Sequence, residues 1–193
     1  LPSAAGADGE WIRLFDGKSL DGWRAAASPG TWKVEDECLV AQGPRSRLSY
    51  LGPVAGHDFR NFELEVEART EPATDSGVFI HTRYQESDSP EQGYEVQISN
   101  GQAGSPNHRA LIRTGSLRGV RNIYKSCVAD GEWFQVRIRV AGNRVSVWVN
   151  GLPTVDYLEP AKPARAKQHA GRVLSHGTIA LEGHAPGGRV AYR

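Results

Sequence analysis

The 193 residues contain no methionine, only two cysteines, and no apolar run that approaches the ~20 residues needed by a membrane-spanning helix. Without such a run, a spanning helix is excluded. Cys38 and Cys127 stand in no C-x-x-C or other metal-ligand spacing, so no thiolate metal motif is present. One disulfide and two unpaired thiols both fit that even count. Charge of a dominant sign is missing too: 23 basic against 22 acidic residues leave a net +1, which provides no global field for nucleic acid or an anionic membrane. The densest basic stretch, Arg109, Arg113, Arg118, Arg121 and Lys125, holds one aromatic, Tyr124, and matches no nucleic-acid-binding motif. Helical spacing of apolar residues is also absent.

What the chain has in its place is alternation. Apolar and polar residues alternate along 62–69, 78–83, 94–99, 134–140, 145–149 and 177–184, the period of strands buried on one face. Turn chemistry separates them at Asp36-Glu37, Gly142-Asn143 and Asn150-Gly151. Twelve to fourteen short strands and no helix predict an all-β fold, two antiparallel sheets packed face to face in a jelly-roll sandwich. Its length suits one domain over 11–193, with 1–10 as a flexible leader whose small residues fit the segment left after an export signal is removed.

Parity then sorts side chains by face. With Leu64 and Val66 inward, Glu63, Glu65, Glu67 and Arg69 form a solvated outer row. With Val78, Ile80, Thr82, Tyr94, Val96 and Ile98 inward, His81, Arg83, Glu95 and Gln97 share the opposite face if the two runs pair. The run at 177–184 puts Ile179 and Leu181 inward, which brings Glu182 and His184 to a non-core face as well. Trp148 faces away from the three valines around it, as a packed rim residue or as a platform for a sugar ring. An imidazole, a guanidinium, carboxylates and an amide together offer proton transfer, anion binding and hydroxyl recognition, whereas ordinary exposed side chains are the plainer reading. The Gly-, Pro-, Asn- and Arg-rich connection over 100–130 is long enough to suggest function.

The succession Leu14-Phe15-Asp16-Gly17-Lys18-Ser19-Leu20-Asp21-Gly22-Trp23, Trp32-Lys33-Val34-Glu35-Asp36, Asp75-Ser76-Gly77-Val78-Phe79, Gly93-Tyr94-Glu95-Val96-Gln97-Ile98, Gly131-Glu132-Trp133 and Ile179-Ala180-Leu181-Glu182-Gly183-His184 resembles the 3-keto-disaccharide hydrolase domain family, from about Trp11 to the last residue. The resemblance implies a concanavalin A-like sandwich, a small carbohydrate as partner, and an exported, periplasmic or extracellular protein. The implied activity is cleavage of glycosidic bonds in sugars oxidised to a ketone at C3. Such a ketone acidifies the C2 proton, so a base can form the enolate and expel the C1 substituent. On this reading His81 or His184 is the base, Arg83 holds the enolate, and Glu95 and Glu182 orient the histidines or exchange protons. Gln97 would read hydroxyls, Trp148 would stack on the ring, and Tyr124 and Lys125 would line the rim. Where the family usually carries Gln, this chain has Glu182. His and Glu also suit a divalent metal, which would polarise the ketone, and the cofactor stays open. Two rivals share the fold: a retaining laminarinase-type glycosidase, which needs two carboxylates about 5 Å apart, and a non-catalytic sugar-binding module.

Overall fold

A computed structural model of the chain describes residues 3–5, 10–86, 90–101 and 112–193, with the side chains of 3–5 and 185–186 left aside. Arg109, from the basic stretch, and most of the leader lie outside the described residues. The described residues form twelve strands: β1 (Ser3–Ala5), β2 (Trp11–Arg13), β3 (Trp23–Ala26), β4 (Trp32–Glu35), β5 (Cys38–Tyr50), β6 (Phe62–Thr70), β7 (Asp75–Thr82), β8 (Tyr94–Ile98), β9 (Phe134–Ala141), β10 (Arg144–Val149), β11 (Leu152–Leu158) and β12 (Thr178–Tyr192). Three short 3-10 turns are the helical content among the described residues. Within the stretch assigned to a leader, Ser3–Ala5 pairs with both β2 and β6.

Two long strands make the sandwich. β5 and β12 pair antiparallel from Ala180 opposite Ser49 to Tyr192 opposite Leu39, with register shifts on both sides of Ala185. Bulges bend a strand and raise its twist, so the pair leaves one layer and enters the other. The first half of β12 pairs with β7, which pairs with β8, while β3 pairs with the second half of β5. The end of β12 pairs with β6, which continues through β9 and β10 to β11.

The core lies between these layers as rows of register partners. Leu48, Leu181, Val78 and Val96 cross one layer, and Leu64, Ile138, Val147 and Val155 cross the other. All eight belong to one buried cluster, each worth roughly 1.5–3 kcal/mol relative to exposure. On the reverse of β6, Glu63 pairs with Arg137 and Arg139, and Glu67 with Arg193, the solvated row expected there. The turn residues also act as expected: Asp36 and Glu37 carry φ of 49° and 57°, and Asn150 and Gly151 of 48° and 77°, the positive values of a tight hairpin turn. Cys38 is buried, Cys127 is exposed, and both thiols are free.

The alternation along β7 breaks at its end. His81 has φ +53°, a left-handed conformation that rotates its ring off the face shared with Phe79. The chain then turns back into β8 through Gly93, φ +85°, whose missing Cβ would collide with the carbonyl oxygens of Ile80 and His81. Gly93→Ala is therefore expected to lower unfolding stability by about 2 kcal/mol or more, seen as a lower urea midpoint at unchanged slope; an unaltered midpoint would show that the β7–β8 connection relaxes freely.

Candidate functional site

Because Leu48, Leu181, Val78 and Val96 face the core, their strand neighbours face the other way. One row across that reverse face is Gln97, Gly77, Glu182 and Arg47. The adjoining row is Glu95, Phe79, Ala180 and Ser49, and on the opposite flank Asp75 lies across from His184. Glu95, Gln97, Glu182 and Arg47 are all buried despite facing away from the core. Part of the cover is the segment after β8, where Leu117 bridges to Val96 and the Arg118 amide donates to the Glu95 carbonyl at 2.9 Å.

The polar groups interlock. Arg118 Nη1 donates to both oxygens of Glu95, at 2.8 and 2.9 Å. Arg45 Nε donates to Glu182 Oε1 at 2.8 Å, and the Arg47 guanidinium lies 5.0 Å from the Phe79 ring centroid. Gln97 Nε2 donates to Asp75 Oδ1 at 2.7 Å and to the Ser76 carbonyl at 2.8 Å. His184 Nδ1 lies 3.8 Å from Asp75 Oδ2, within charge range but beyond a hydrogen bond. Among the described residues, Glu182 Oε2 and His184 Nδ1 are buried without a hydrogen-bond partner. Gly77 makes the arrangement possible, since a Cβ there would stand 2.9 Å from Cγ and Oε1 of Glu95. Without one, the Glu95 side chain lies down over β7 toward Glu182.

Electrostatics follow from this packing. Glu95 is pushed up from the ordinary 4.5 to about 8, first by removal from water, then by the Glu182 charge, against the pull of Arg118. A carboxyl of this kind holds its proton at neutral pH and can donate it. Among the described residues, no three His, Cys, Asp or Glu side chains are placed to hold a metal ion.

Of the residues singled out in the sequence, Glu95, Gln97, Glu182 and His184 come together here. His81 does not: its Nε2–H donates to the Arg60 carbonyl at 2.9 Å, its Nδ1 accepts from the Ser175 amide at 3.1 Å, and its ring meets Phe62 edge-on. With both nitrogens used and burial holding its pKa below the usual imidazole range, it is a structural histidine. Arg83 binds Gln92 and lines a separate hollow of about 460 Å³ with His57, Asp58 and His176. Trp148 faces outward on the other layer under Arg137, 5.9 Å from its ring centroid. Tyr124 and Lys125 are exposed beyond the covering segment. A larger hollow of about 620 Å³ lined by Trp11, Asp16 and Asp36 also lies away from the cluster.

Sequence reasoning passed over Asp75, Arg45, Arg47 and Arg118. The parity of β5 turns Arg47 away from the core beside Leu48, a usable signal. For Arg118 the signal is only its place in the long connection over 100–130, because the fold-back of that segment is what brings it to Glu95.

An acid whose folded pKa lies above its unfolded value binds more protons folded than unfolded between the two, so stability falls as pH rises from about 4.5 to about 8. Replacement Glu95→Gln should flatten that decline, by an amount on the order of a few kcal/mol. Glu182→Gln, which removes the like charge, should move the Glu95 titration downward in a carboxyl carbon NMR titration. An unmoved titration would mean that the two carboxyls do not sense each other.

Comparison with known proteins agrees with this architecture. Over 80 residues, 38% of this chain and 27% of the relative's length, the chain is 36% identical to the 3-keto-disaccharide hydrolase of Bacteroides thetaiotaomicron. It therefore spans about a quarter of the curated relative it matches. A candidate glycosyl hydrolase of Parabacteroides distasonis superposes with a TM-score of 0.75 at 19% identity, covering 94% of this chain and 89% of that one. Carbohydrate binding module CBM66 from Bacillus subtilis gives 0.61 at 12% identity, covering 89% and 92%. At these identities both likenesses establish the shared sandwich fold. The family profile described as a 3-keto-alpha-glucoside-1,2-lyase-like domain matches residues 10–193, and the chain belongs to that family.

Proposed function

We propose that this chain cleaves the glycosidic bond of 3-keto-glycosides, 3-keto-disaccharides among them, at the Glu95–Glu182–His184 cluster. The observation that carries the reading is the convergence, from β7, β8 and β12, of a carboxyl pushed up to about 8, a second carboxylate and an imidazole beside a carboxylate. Family membership and the name of the Bacteroides relative support the substrate class.

The chemistry proceeds by elimination. His184, whose side chain is 30% exposed, takes the C2 proton, and the electron pair moves onto the C3 oxygen as an enolate. Arg45, 33% exposed, faces that developing charge while Glu182 Oε1 fixes its position. As the ketone re-forms, the C1–C2 double bond forms and the C1–O1 bond breaks. Glu95 protonates the departing oxygen. Water then adds across C1 and C2, its hydroxyl to C1 and its proton to C2, so that the net reaction is hydrolysis. An unoxidised sugar has no acidic C2 proton and does not enter this route.

The Glu95–Glu182 pair also favours a second reading, a glycosidase that works with two carboxylates on unoxidised sugars. Incubation with 3-keto-trehalose and with trehalose in D₂O separates the readings. Cleavage of the ketone alone, with one deuterium at C2 of the released sugar, is expected. Cleavage of both sugars would establish the glycosidase, and binding without turnover a sugar-binding module. His184→Ala is expected to lower kcat by about 10²- to 10⁴-fold. The rate should fall above pH 8 as Glu95 loses its proton, and that alkaline limb should move to lower pH in Glu182→Gln.

A further inference from the structure

Next to Glu95, where the segment around Leu117 and Arg118 pairs along the outer edge of β8, four arginines share one corner. Arg118 is held by Glu95. Arg165 Nη2 donates to the hydroxyls of Tyr94 and Tyr157, at 2.6 and 2.9 Å, and lies 3.6 Å from Glu159 Oε2. The Arg121 guanidinium sits 5.4 Å from the centroid of the same Tyr157 ring. The Arg172 carbonyl accepts from Arg165 Nε at 2.9 Å, and its guanidinium reaches the covering segment, where a Cβ on Gly119 would stand 3.3 Å from Nη1.

The charges in this corner do not balance. Arg118 hydrogen-bonds the carboxyl of Glu95, and Arg165 lies beside the Glu159 carboxylate. Among the described residues the Arg121 guanidinium donates only to the Val120 carbonyl, and the Arg172 guanidinium makes no hydrogen bond or ion pair. Arg172 is nevertheless half-buried, and removal from water, together with the charges of Arg118 and Arg165, holds its pKa below the ordinary arginine value despite the pull of Glu95. A cation kept out of water beside two others is costly unless an anion joins it. Glu95 adds little compensation near neutral pH, since it keeps its proton up to about 8.

We infer that Arg172 and Arg121, beside Arg118, form a subsite for an oxyanion on the leaving half of the glycoside, a carboxylate or a sulfonate-like group. Planar guanidinium forks match such groups with paired hydrogen bonds. The position fits a leaving group, because the corner lies on the Glu95 side of the cluster and Glu95 is the proton donor to the departing oxygen. This assignment rests on the reaction proposed above, and its test is a binding measurement that needs no turnover.

Calorimetry with three unoxidised glucosides, 4-carboxyphenyl, 4-sulfophenyl and neutral 4-carbamoylphenyl, measures the preference directly. The chain is expected to bind at least one anionic glucoside about tenfold or more tightly than the neutral one; which of the two is favoured identifies the anion. The preference should shrink as salt rises and disappear in Arg172→Gln, whose thermal midpoint should be no lower than that of the parent, because the guanidinium it replaces is kept out of water without a partner. Equal affinities, no measurable binding of any of the three, or a preference that survives both Arg172→Gln and Arg121→Gln would overturn the subsite. A chain that prefers the anion yet leaves 3-keto-glycosides intact would refute the reaction alone. One that cleaves neutral 3-keto-glycosides without an anion preference would refute the subsite alone.

Discussion

The structure depends on one register. Leu48, Leu181, Val78 and Val96 lie side by side across four strands and face the core. Side chains alternate along a strand, so that row dictates its reverse, where Arg47, Glu182, Gly77 and Gln97 must stand together. A slip of one residue in β12 would bury Glu182 among aliphatic side chains and turn Leu181 to the polar face. The hydrophobic energy that aligns the core thus also assembles the polar cluster. No separate interaction is needed to bring a residue at position 182 beside one at 97.

Gathering charges in this way has an electrostatic cost, and the neighbours show how it is met. Glu95 and Glu182 each take an arginine, Arg118 from a folded-back segment and Arg45 from β5. Even so, desolvation and the mutual repulsion of the carboxyls outweigh the attraction at Glu95, which keeps its proton well above the usual carboxylate range. A Gln at position 182 would relieve that repulsion. The Glu here instead sets a like charge beside Glu95, one of the reasons that Glu95 keeps its proton at neutral pH. Gly77 contributes by what it lacks, since a methyl group at that point would push Glu95 away from its partner.

The two segments that flank β8 turn a sheet edge into the wall of the candidate site. Residues 112–121 continue the hydrogen bonding of β8 through Leu117 and Arg118. The segment leading to β12 is tied down by Glu159, which accepts from the Tyr94 hydroxyl and from the Leu174 amide, and by Arg165 between two tyrosines. Both arms use long polar side chains on an otherwise regular strand. Variation in these arms can change what binds without disturbing the core rows.

Much of this was legible in the chain itself. The two-residue period, the Asp-Glu and Asn-Gly turns and the solvated glutamates of β6 specify the sandwich, because burial on one face is a local property that repeats along each strand. The same parity placed Glu95, Gln97, Glu182 and His184 on one face correctly. It failed at His81, where a single left-handed residue reverses the direction of the side chain; Trp148 does face away from its valines, but its strand joins the other layer. Alternation states which residues share a face of one strand, but which strands become neighbours depends on where β5 and β12 bend between layers. Arg118, Arg45 and the arginine corner were decided there, by contacts between residues far apart in the chain that no local pattern encodes.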